Sequence, residues 1–183
     1  MNEWITSIGY GLAAFSFFYP LFMSYLWMSG ALYYYFRYER RPFGKSGTIR
    51  RPPKLRKASL VSILVPCFNE EENIEETIGA LMRTKYPNFD VIAINDGSTD
   101  RTGQLLDQLL QRYPRLRVVH QAKNKGKASA LNIGAALTRA EFVVCIDGDA
   151  ILDRYALQWM MKHFASPRVA AVTVNPRVRT RST

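Results

Sequence analysis

The stretch from Ile5 to Phe36 contains 32 residues without a single Asp, Glu, Lys, Arg or His. A helix needs about 20 apolar residues to cross the hydrocarbon core of a bilayer, where the backbone must satisfy its own hydrogen bonds. We therefore predict one membrane-spanning helix, because two spans of about 16 residues would each be too short. Pro20 lies near its middle, and aromatic residues lie at both ends, as is typical of membrane interfaces.

A cleaved signal peptide is the alternative for this stretch. Such a peptide has a basic segment followed by a short apolar core. Here the only side-chain charge before Ile5 is Glu3, and the apolar run is too long. We therefore predict that residues 1–36 are a retained, single-pass transmembrane anchor.

Residues 37–57 carry nine Lys and Arg against one acid, Glu39, which is +8 of the formal net charge of +10. Residues 58–183 carry only +3, so the high net charge does not describe a basic globular domain. Nucleic-acid binding requires Lys and Arg spread over a folded face, and we predict no nucleic-acid partner. The positive-inside rule places this basic juxtamembrane linker, and the chain after it, in the cytoplasm, where contact with membrane lipid is a secondary role.

Residues 58–183 alternate between apolar strands and amphipathic helices. The predicted strands are 60–66, 90–95, 116–120, 141–147 and 169–174, and the helices between them begin near Asn69, Thr99, Lys127 and Arg154. Strands separated by helices indicate right-handed βαβ units. The predicted fold class is therefore α/β, with a mostly parallel sheet that carries helices on both faces.

Polar side chains follow the predicted strands where ligands of such sheets collect, at the carboxyl ends. The strand 141–147, which we expect to be buried on both faces, ends in Asp147-Gly148-Asp149. Two carboxylates there suit a divalent cation that also binds phosphate, although Asp-Gly-Asp is common in ordinary turns as well. Likewise the lysine loop, residues 123–127, is either a solvated loop or a phosphate site at a helix N-terminus.

Other site classes find little support. Neither Gly-x-Gly-x-x-Gly nor Gly-x-x-x-x-Gly-Lys-Ser/Thr occurs, which argues against a dinucleotide fold and a P-loop. Cys67 and Cys145 are expected to be free and buried, because both lie in or beside predicted strands of a cytoplasmic domain. His120 and His163 belong to no catalytic motif, and a structural role is expected for each.

Four motifs together resemble those of the inverting family 2 glycosyltransferases. They are Val65-Pro66-Cys67-Phe68-Asn69-Glu70-Glu71, Asn95-Asp96-Gly97-Ser98-Thr99-Asp100, Asn124-Lys125-Gly126-Lys127-Ala128 and Asp147-Gly148-Asp149. In that family they mark the nucleotide-binding half of the GT-A fold, which is Rossmann-like. Membrane-anchored processive synthases are the most similar subgroup, and the resemblance covers residues 15–183.

The resemblance implies a role for each matching position. Pro66, Asn69 and Glu70 would line the uridine pocket, Asp96 with Gly97 would hold the uracil or ribose, and Lys127 would approach the nucleotide. Asp147 would lie on the ribose and sugar side, and Asp149 would bind Mg²⁺ or Mn²⁺ bridging the diphosphate. Such a cation offsets the charge that grows on a leaving diphosphate.

The family also uses a carboxylate base that deprotonates the acceptor, and processive members have a Gln-x-x-Arg-Trp motif. Neither is recognised in this sequence, and we expect the base beyond Thr183. Residues 58–183 are therefore predicted to be an incomplete GT-A nucleotide-sugar-binding domain without the acceptor half. The chain is expected to be an amino-terminal fragment that is inactive in isolation.

The resemblance implies a glycosyltransferase in the bacterial inner membrane with its catalytic domain in the cytoplasm. It would transfer N-acetylglucosamine from UDP-GlcNAc to a growing β-linked exopolysaccharide, such as the poly-N-acetylglucosamine of biofilms. Its partners would be the UDP-sugar donor, the polysaccharide acceptor, membrane lipid and other membrane subunits of an export complex. Two alternatives stay open: a transferase with a lipid-phosphate acceptor, and a non-catalytic UDP-sugar-binding membrane module.

Overall fold

The computed structural model describes residues 2–39, 52–55 and 58–174, and the chain divides into two compact units, 1–51 and 52–183. In the first unit α1, Asn2–Tyr34, is one continuous helix that passes through Pro20 and ends in a π-helical turn, Tyr35–Glu39. The helical segment Thr6–Arg37, which includes part of that turn, is long and apolar enough to cross a membrane. The single long helix predicted from the sequence is therefore present. Most of the basic linker predicted at 37–57 lies outside the described residues.

The second unit contains a parallel sheet of four strands in the order β3-β2-β1-β4. The strands are β1 (Val61–Cys67), β2 (Phe89–Asp96), β3 (Leu116–Gln121) and β4 (Phe142–Cys145). The helices are α2 (Ile74–Met82), α3 (Thr102–Arg112), α4 (Lys127–Leu137) and α5 (Ala156–His163). The predicted α/β class with a parallel sheet is confirmed.

Both faces of the sheet are covered by helices, as predicted, because the central strands are apolar on both faces. Val61, Ile63 and Val65 of β1 face a core built with the buried side chains of α2, α3 and α5. Leu64 faces the opposite way and packs with β2 and with Ala130 of α4. The alternation of side chains along β1 therefore assigns three helices to one face and α4 to the other.

The strand order places a crevice at the carboxyl ends of β1 and β4. From β1 the chain builds outward through β2 and β3, and then crosses back to add β4 on the other side of β1. Ligands of open α/β sheets bind at such a reversal of strand order. Beyond β4 the pairing continues for one bond, from the Ile146 N–H to the Leu64 carbonyl at 3.0 Å, so the turn after β4 starts beside β1.

Two expectations about β4 are wrong. The strand is not buried on both faces, because it lies at the edge of the sheet and α4 covers the neighbouring strands β1 and β2 instead. Val143 is consequently 43% exposed, and Cys145 is exposed rather than buried. Cys67, in the central strand β1, is buried as predicted.

The predicted fifth strand is also wrong. Residues 169–174 have no regular structure, and within the described part of the chain no strand pairs with them. Val172 packs against the core, but an apolar pattern alone provides no hydrogen-bonding partner. The start of α2 differs too: the helix begins at Ile74, and residues 70–73 form a turn closed by the Ile74 N–H donating to the Glu70 carbonyl at 2.9 Å.

Candidate functional site at the carboxyl edge of the sheet

The structure brings all eight of the predicted site residues to one edge of the sheet. Pro66 lies near the end of β1, and Asn69 and Glu70 lie in the turn after it. Asp96 is the last residue of β2, Gly97 follows it, and Lys127 is the first residue of α4. Asp147 and Asp149 lie in the turn after β4. The edge therefore combines carboxylates, an amide and lysines, as the four motifs predict.

Asn69 joins the turn after β1 to the turn after β2. Its φ of 55° is in the left-handed region, which Asn enters more readily than most residues. The Asn69 N–H donates to Ser98 Oγ at 3.1 Å, and its side-chain Oδ1 accepts the Thr99 N–H at 2.9 Å. These two hydrogen bonds join the two turns, so Asn69 contributes to the distance between them.

Further hydrogen bonds extend this connection, which we call the loop clamp (residues 69–71 with 98–102). The N–H groups of Glu70 and Glu71 donate to Thr102 Oγ1 at 2.8 Å and to Asp100 Oδ2 at 3.1 Å. In return, Glu71 Oε2 accepts the Arg101 N–H at 3.0 Å. Glu71 therefore holds the two turns together.

Asp100 contributes a carboxylate to the loop clamp, and its oxygens accept hydrogen bonds from the Glu71 and Thr102 N–H groups. Partial burial alone would raise the pKa of its carboxyl group, but hydrogen bonds from Thr102 and from the Glu71 N–H outweigh it. The pKa of Asp100 is consequently lowered from its ordinary value, because those donors favour the charged form. Asp100 also accepts the Thr102 N–H at 3.0 Å where α3 begins, three residues after the start predicted near Thr99.

Asp96 holds the lysine loop. Its Oδ1 accepts Gln121 Nε2 and the Lys125 N–H, both at 2.9 Å, and its Oδ2 accepts the Gly126 N–H at 2.8 Å. Asp96 is only 3% exposed. Its neighbour Gly97 has a φ of 67°, and a Cβ there would lie 2.5 Å from the backbone nitrogen of Asn124. The loop therefore lies directly against the end of β2, and only glycine fits at position 97.

The turn after β4 packs against the turn after β1. Gly148 is buried, and a Cβ there would lie 3.0 Å from Glu70 Cγ and 3.4 Å from the Pro66 carbonyl oxygen. Lys127 Nζ forms an ion pair with Asp147 Oδ1 from the other side. Asp147 thus sits between the start of α4 and the turn after β1, in the crevice that the strand order creates.

Asp149 is the carboxylate best suited to a cation. It is exposed and has no hydrogen-bond or ion-pair partner among the described residues, whereas Asp147 already pairs with Lys127. No group of three or more His, Cys, Asp or Glu that could hold a metal occurs in the described ranges. Mg²⁺ commonly takes one or two protein carboxylates and completes its shell with water and phosphate oxygens. Asp149 alone could supply one protein ligand to such a cation, and the other ligands would come from water and a phosphate-bearing ligand.

A hydrogen-bonded chain that the sequence did not reveal supports the turn after β2. Asn95 Oδ1 accepts the Ser98 N–H at 3.0 Å, which turns its Nδ2 toward His120 Nδ1 at 3.1 Å. Nδ1 therefore accepts, and Nε2 carries the proton toward Asp107 Oδ1 at 3.0 Å. His120 has the structural role expected of it. Asp107 carries no sequence signal for this contact, since it lies in an ordinary amphipathic helix.

The cysteines are unsuited to nucleophilic chemistry. Burial, with the nearby charge of Glu70, raises the pKa of Cys67 to about 12. Partial burial also raises the pKa of Cys145. A cysteine nucleophile needs a lowered pKa, so neither thiol fits that role.

Comparison with protein families gives one matching family, "Glycosyl transferase family 2", over residues 62–183. A poly-β-1,6-N-acetyl-D-glucosamine synthase of Staphylococcus epidermidis is 36% identical over 169 residues, which cover 92% of this chain. The same alignment covers 40% of the synthase, so the chain spans well under half the length of that relative.

Two solved structures are similar in fold. Mannosyltransferase PcManGT from Pyrobaculum calidifontis, in complex with GDP-Man and Mn²⁺, is 29% identical with a TM-score of 0.66 and covers 82% of this chain and 44% of its own. TarS 1–349 from S. aureus, in complex with UDP-GlcNAc, is 26% identical with a TM-score of 0.51 and covers 57% and 31%.

Proposed function

Because this chain belongs to glycosyl transferase family 2, we propose that it forms the donor-binding part of a membrane-bound glycosyltransferase. The donor is UDP-N-acetylglucosamine, and the acceptor is a growing β-linked N-acetylglucosamine polysaccharide. The observation that carries the proposal is the single edge of the sheet to which the fold brings all eight residues of the four motifs. The choice of sugar rests on the synthase from S. epidermidis and on the UDP-GlcNAc complex of TarS.

The uridine side of the site is formed by the turns after β1 and β2. Pro66, Asn69 and Glu70 line the nucleoside pocket, with Asp96 and Gly97 at its base. The loop clamp supports this assignment because its hydrogen bonds, made between protein groups alone, hold the two turns together. A pocket whose walls are fixed before binding loses less conformational entropy when the nucleotide enters.

The diphosphate side lies between the start of α4 and the turn after β4. Lys127 and the first N–H groups of α4 favour an anion, because a helix N-terminus and an ammonium group both present positive charge. Asp149 is the residue that would hold Mg²⁺ or Mn²⁺, and Asp147 lies on the sugar side beside Lys127. When bound, the cation would stabilise the negative charge on the departing nucleoside diphosphate.

In this proposal α1 anchors the protein in the bacterial inner membrane and the donor site faces the cytoplasm. The apolar segment Thr6–Arg37 and the cluster of Lys and Arg in residues 37–57 support this orientation. A UDP-sugar is a soluble cytoplasmic metabolite in such a scheme, so donor and site meet on the same side of the membrane.

Binding of UDP-GlcNAc to the full chain in lipid nanodiscs tests the proposal. With Mn²⁺ present we expect saturable binding that EDTA weakens, and a loss of roughly tenfold in affinity for Asp149→Asn, because the amide replaces a charged metal ligand. Asp153→Asn is the matched control. It makes the same chemical change four residues away and is expected to stay within about twofold.

The outcome also separates the alternative functions. Binding unaffected by both EDTA and Asp149→Asn would contradict the metal assignment, and absence of UDP-GlcNAc binding would contradict the donor. Incubation with labelled donor and membranes then distinguishes polymer from glycolipid. Donor binding without any transfer is expected both of a donor-binding part alone and of a non-catalytic module, so transfer of sugar to either product would exclude the module.

A further inference from the structure

We propose that the outer edge of β3 binds an extended acidic segment of a partner protein, which adds to the sheet as a further strand. The binding surface, which we call the β3 groove, consists of residues 118–125 together with Ile133 and Leu137 of α4. This interaction is separate from donor binding, because β2 lies between β3 and β1, where the donor crevice begins.

The outer edge of β3 has unpaired backbone groups. Among the described strands only β2 pairs with β3. The Val91 N–H donates to the Arg115 carbonyl at 2.9 Å, and the register pairs Val91 with Leu116. Because alternate residues of a parallel strand bond to the same neighbour, the odd-numbered residues of β3 serve β2. The N–H and carbonyl groups of Val118 and His120 therefore point outward, where another strand can pair with them.

A groove lies beside the carboxyl half of this edge. Its volume is about 420 Å³, and its lining includes Val119, His120, Gln121, Lys123, Lys125 and Ile133. Near the start of β3, Leu137 of α4 is 42% exposed, and its carbonyl accepts Arg117 Nη2 at 3.1 Å. An extended segment on this edge would therefore find apolar contacts along α4 and positive charge at the end of β3.

The charge of this side of the sheet is one-sided. Residues 108–140, which contain β3 and α4, have seven Lys and Arg and no Asp or Glu, although residues 58–183 carry only +3 overall. The ammonium groups of Lys123 and Lys125 are exposed and have no hydrogen-bond or ion-pair partner among the described residues. Acidic side chains on an added strand would complement this charge.

Charge and hydrogen bonding together select among the possible occupants. Residues 40–51 and 175–183 of the same chain, which lie outside the described residues, contain eight Lys and Arg and no acid, so like charge disfavours them. A second β3 edge would bring the same basic side chains together. An anionic membrane surface matches the charge, but it cannot continue the hydrogen-bonded ladder of a strand. An acidic extended peptide satisfies both requirements, as in other complexes formed by strand addition.

A capped peptide of eight residues that alternates Glu and Val is the probe, added to the full chain in phosphatidylcholine nanodiscs. At saturation, amide hydrogen exchange at Val118 and His120 should slow by roughly tenfold or more, because their N–H groups become paired. Exchange at Val119 should change little, since its N–H already bonds to β2. An alternating Lys and Val peptide of equal length should bind at least roughly tenfold more weakly.

Two sets of variants test the charge and the backbone separately. Lys123→Gln combined with Lys125→Gln should weaken binding of the Glu and Val peptide roughly tenfold. The control combines Lys85→Gln with Lys162→Gln, an equal loss of charge at exposed positions outside the groove, and should stay within about twofold.

Val118→Pro removes one outward N–H, which an edge strand tolerates, and should abolish the peptide-dependent protection at His120. A Glu and Val peptide that is N-methylated at alternate residues should likewise give no protection of the unmodified chain, because it lacks the donors of a strand. Unchanged exchange in β1 and β2 verifies that each variant is folded.

Absence of protection at Val118 and His120 with saturating peptide, or equal binding of the Lys and Val peptide, would overturn the proposal. Protection that appears without peptide and rises with protein concentration would overturn it in favour of a second copy of the chain. Protection caused by phosphatidylglycerol in the nanodisc, again without peptide, would overturn it in favour of a lipid surface. No sugar nucleotide is added, so a failure of donor binding leaves these results unaffected.

Discussion

Lys127 and Asp147 form an ion pair that bridges the start of α4 and the turn after β4. The two residues lie 20 positions apart in the chain, and the pair crosses the crevice that the strand order creates. It neutralises one of the two carboxylates in Asp-Gly-Asp and leaves Asp149 without a partner among the described residues. Asp147 and Asp149, two residues apart in the same turn, therefore differ in their partners.

Lys127→Gln should weaken UDP binding roughly tenfold, because it removes a charged donor from the proposed diphosphate site. In the same variant Mn²⁺ alone should bind more tightly, since Asp147 no longer has its ion-pair partner. Isothermal titration of UDP and of Mn²⁺ separately measures both effects. Lys85→Gln, an equal change at an exposed lysine before β2, at the opposite edge of the sheet, is the control. If Lys127 were only a solvated residue, the substitution would cause neither the loss of UDP affinity nor the gain of Mn²⁺ affinity.

Substitution of Asn69 separates backbone conformation from side-chain contacts. Asn69→Gly tolerates the φ of 55° and loses only the Oδ1 hydrogen bonds, so the free energy of unfolding should fall by about 1 kcal/mol. Asn69→Ala loses the same hydrogen bonds and also strains the backbone. Its free energy of unfolding should therefore fall by about 2 kcal/mol or more. Denaturant unfolding of the full chain in detergent measures the difference. Equal losses would indicate that the conformation contributes nothing.

Asp100 makes the stability of the loop clamp depend on pH. Since the pKa of Asp100 is lowered in the folded state, its contribution is fully present above the ordinary pKa of an aspartate and is lost as the pH falls through the folded pKa. The difference in melting temperature between the unmodified chain and Asp100→Asn should therefore be constant near neutral pH and shrink in that acidic range. A difference that does not change with pH would contradict the assignment.

His120→Asn should preserve the turn after β2, because Asn Oδ1 can replace Nδ1 as the acceptor for Asn95 Nδ2. His120→Ala leaves that amide N–H without an acceptor and should lower the free energy of unfolding by about 1 kcal/mol. Hydrogen exchange at the Ser98 amide locates the effect, since its acceptor is Asn95 Oδ1. Equal exchange in the two variants would show that the His120 contact does not support the turn.

The sequence predicted the strands of the sheet well where the local pattern is decisive. The apolar runs of β1, β2 and β3 are bounded by polar turn residues, and each observed strand begins or ends within one residue of its prediction. Lys127 begins α4 as predicted, because Gly126 interrupts the chain immediately before it. The chemistry of the edge was equally visible, since the order of a parallel sheet brings successive strand ends together.

What the sequence did not reveal depends on pairs of residues far apart. The loop clamp joins residues about 30 positions apart, and no local pattern marks Asn69 as the partner of Thr99. The burial of β4 depends on which strands α4 covers. Residues 169–174, predicted as a strand, have no neighbouring strand to pair with in the described part of the chain. Strand propensity can be read from the residues of one segment, whereas these features depend on the segments that pack against it.

The uncovered side of β4 affects how the protein behaves at high concentration. In the described part of the chain its outer edge has no neighbouring strand, and unpaired strand edges invite pairing between molecules. Val143 adds an apolar contact, and the exposed thiol of Cys145 lies on the same strand. Two copies joined edge to edge would each cover the other's exposed strand edge, so association of the protein is expected to rise with its concentration.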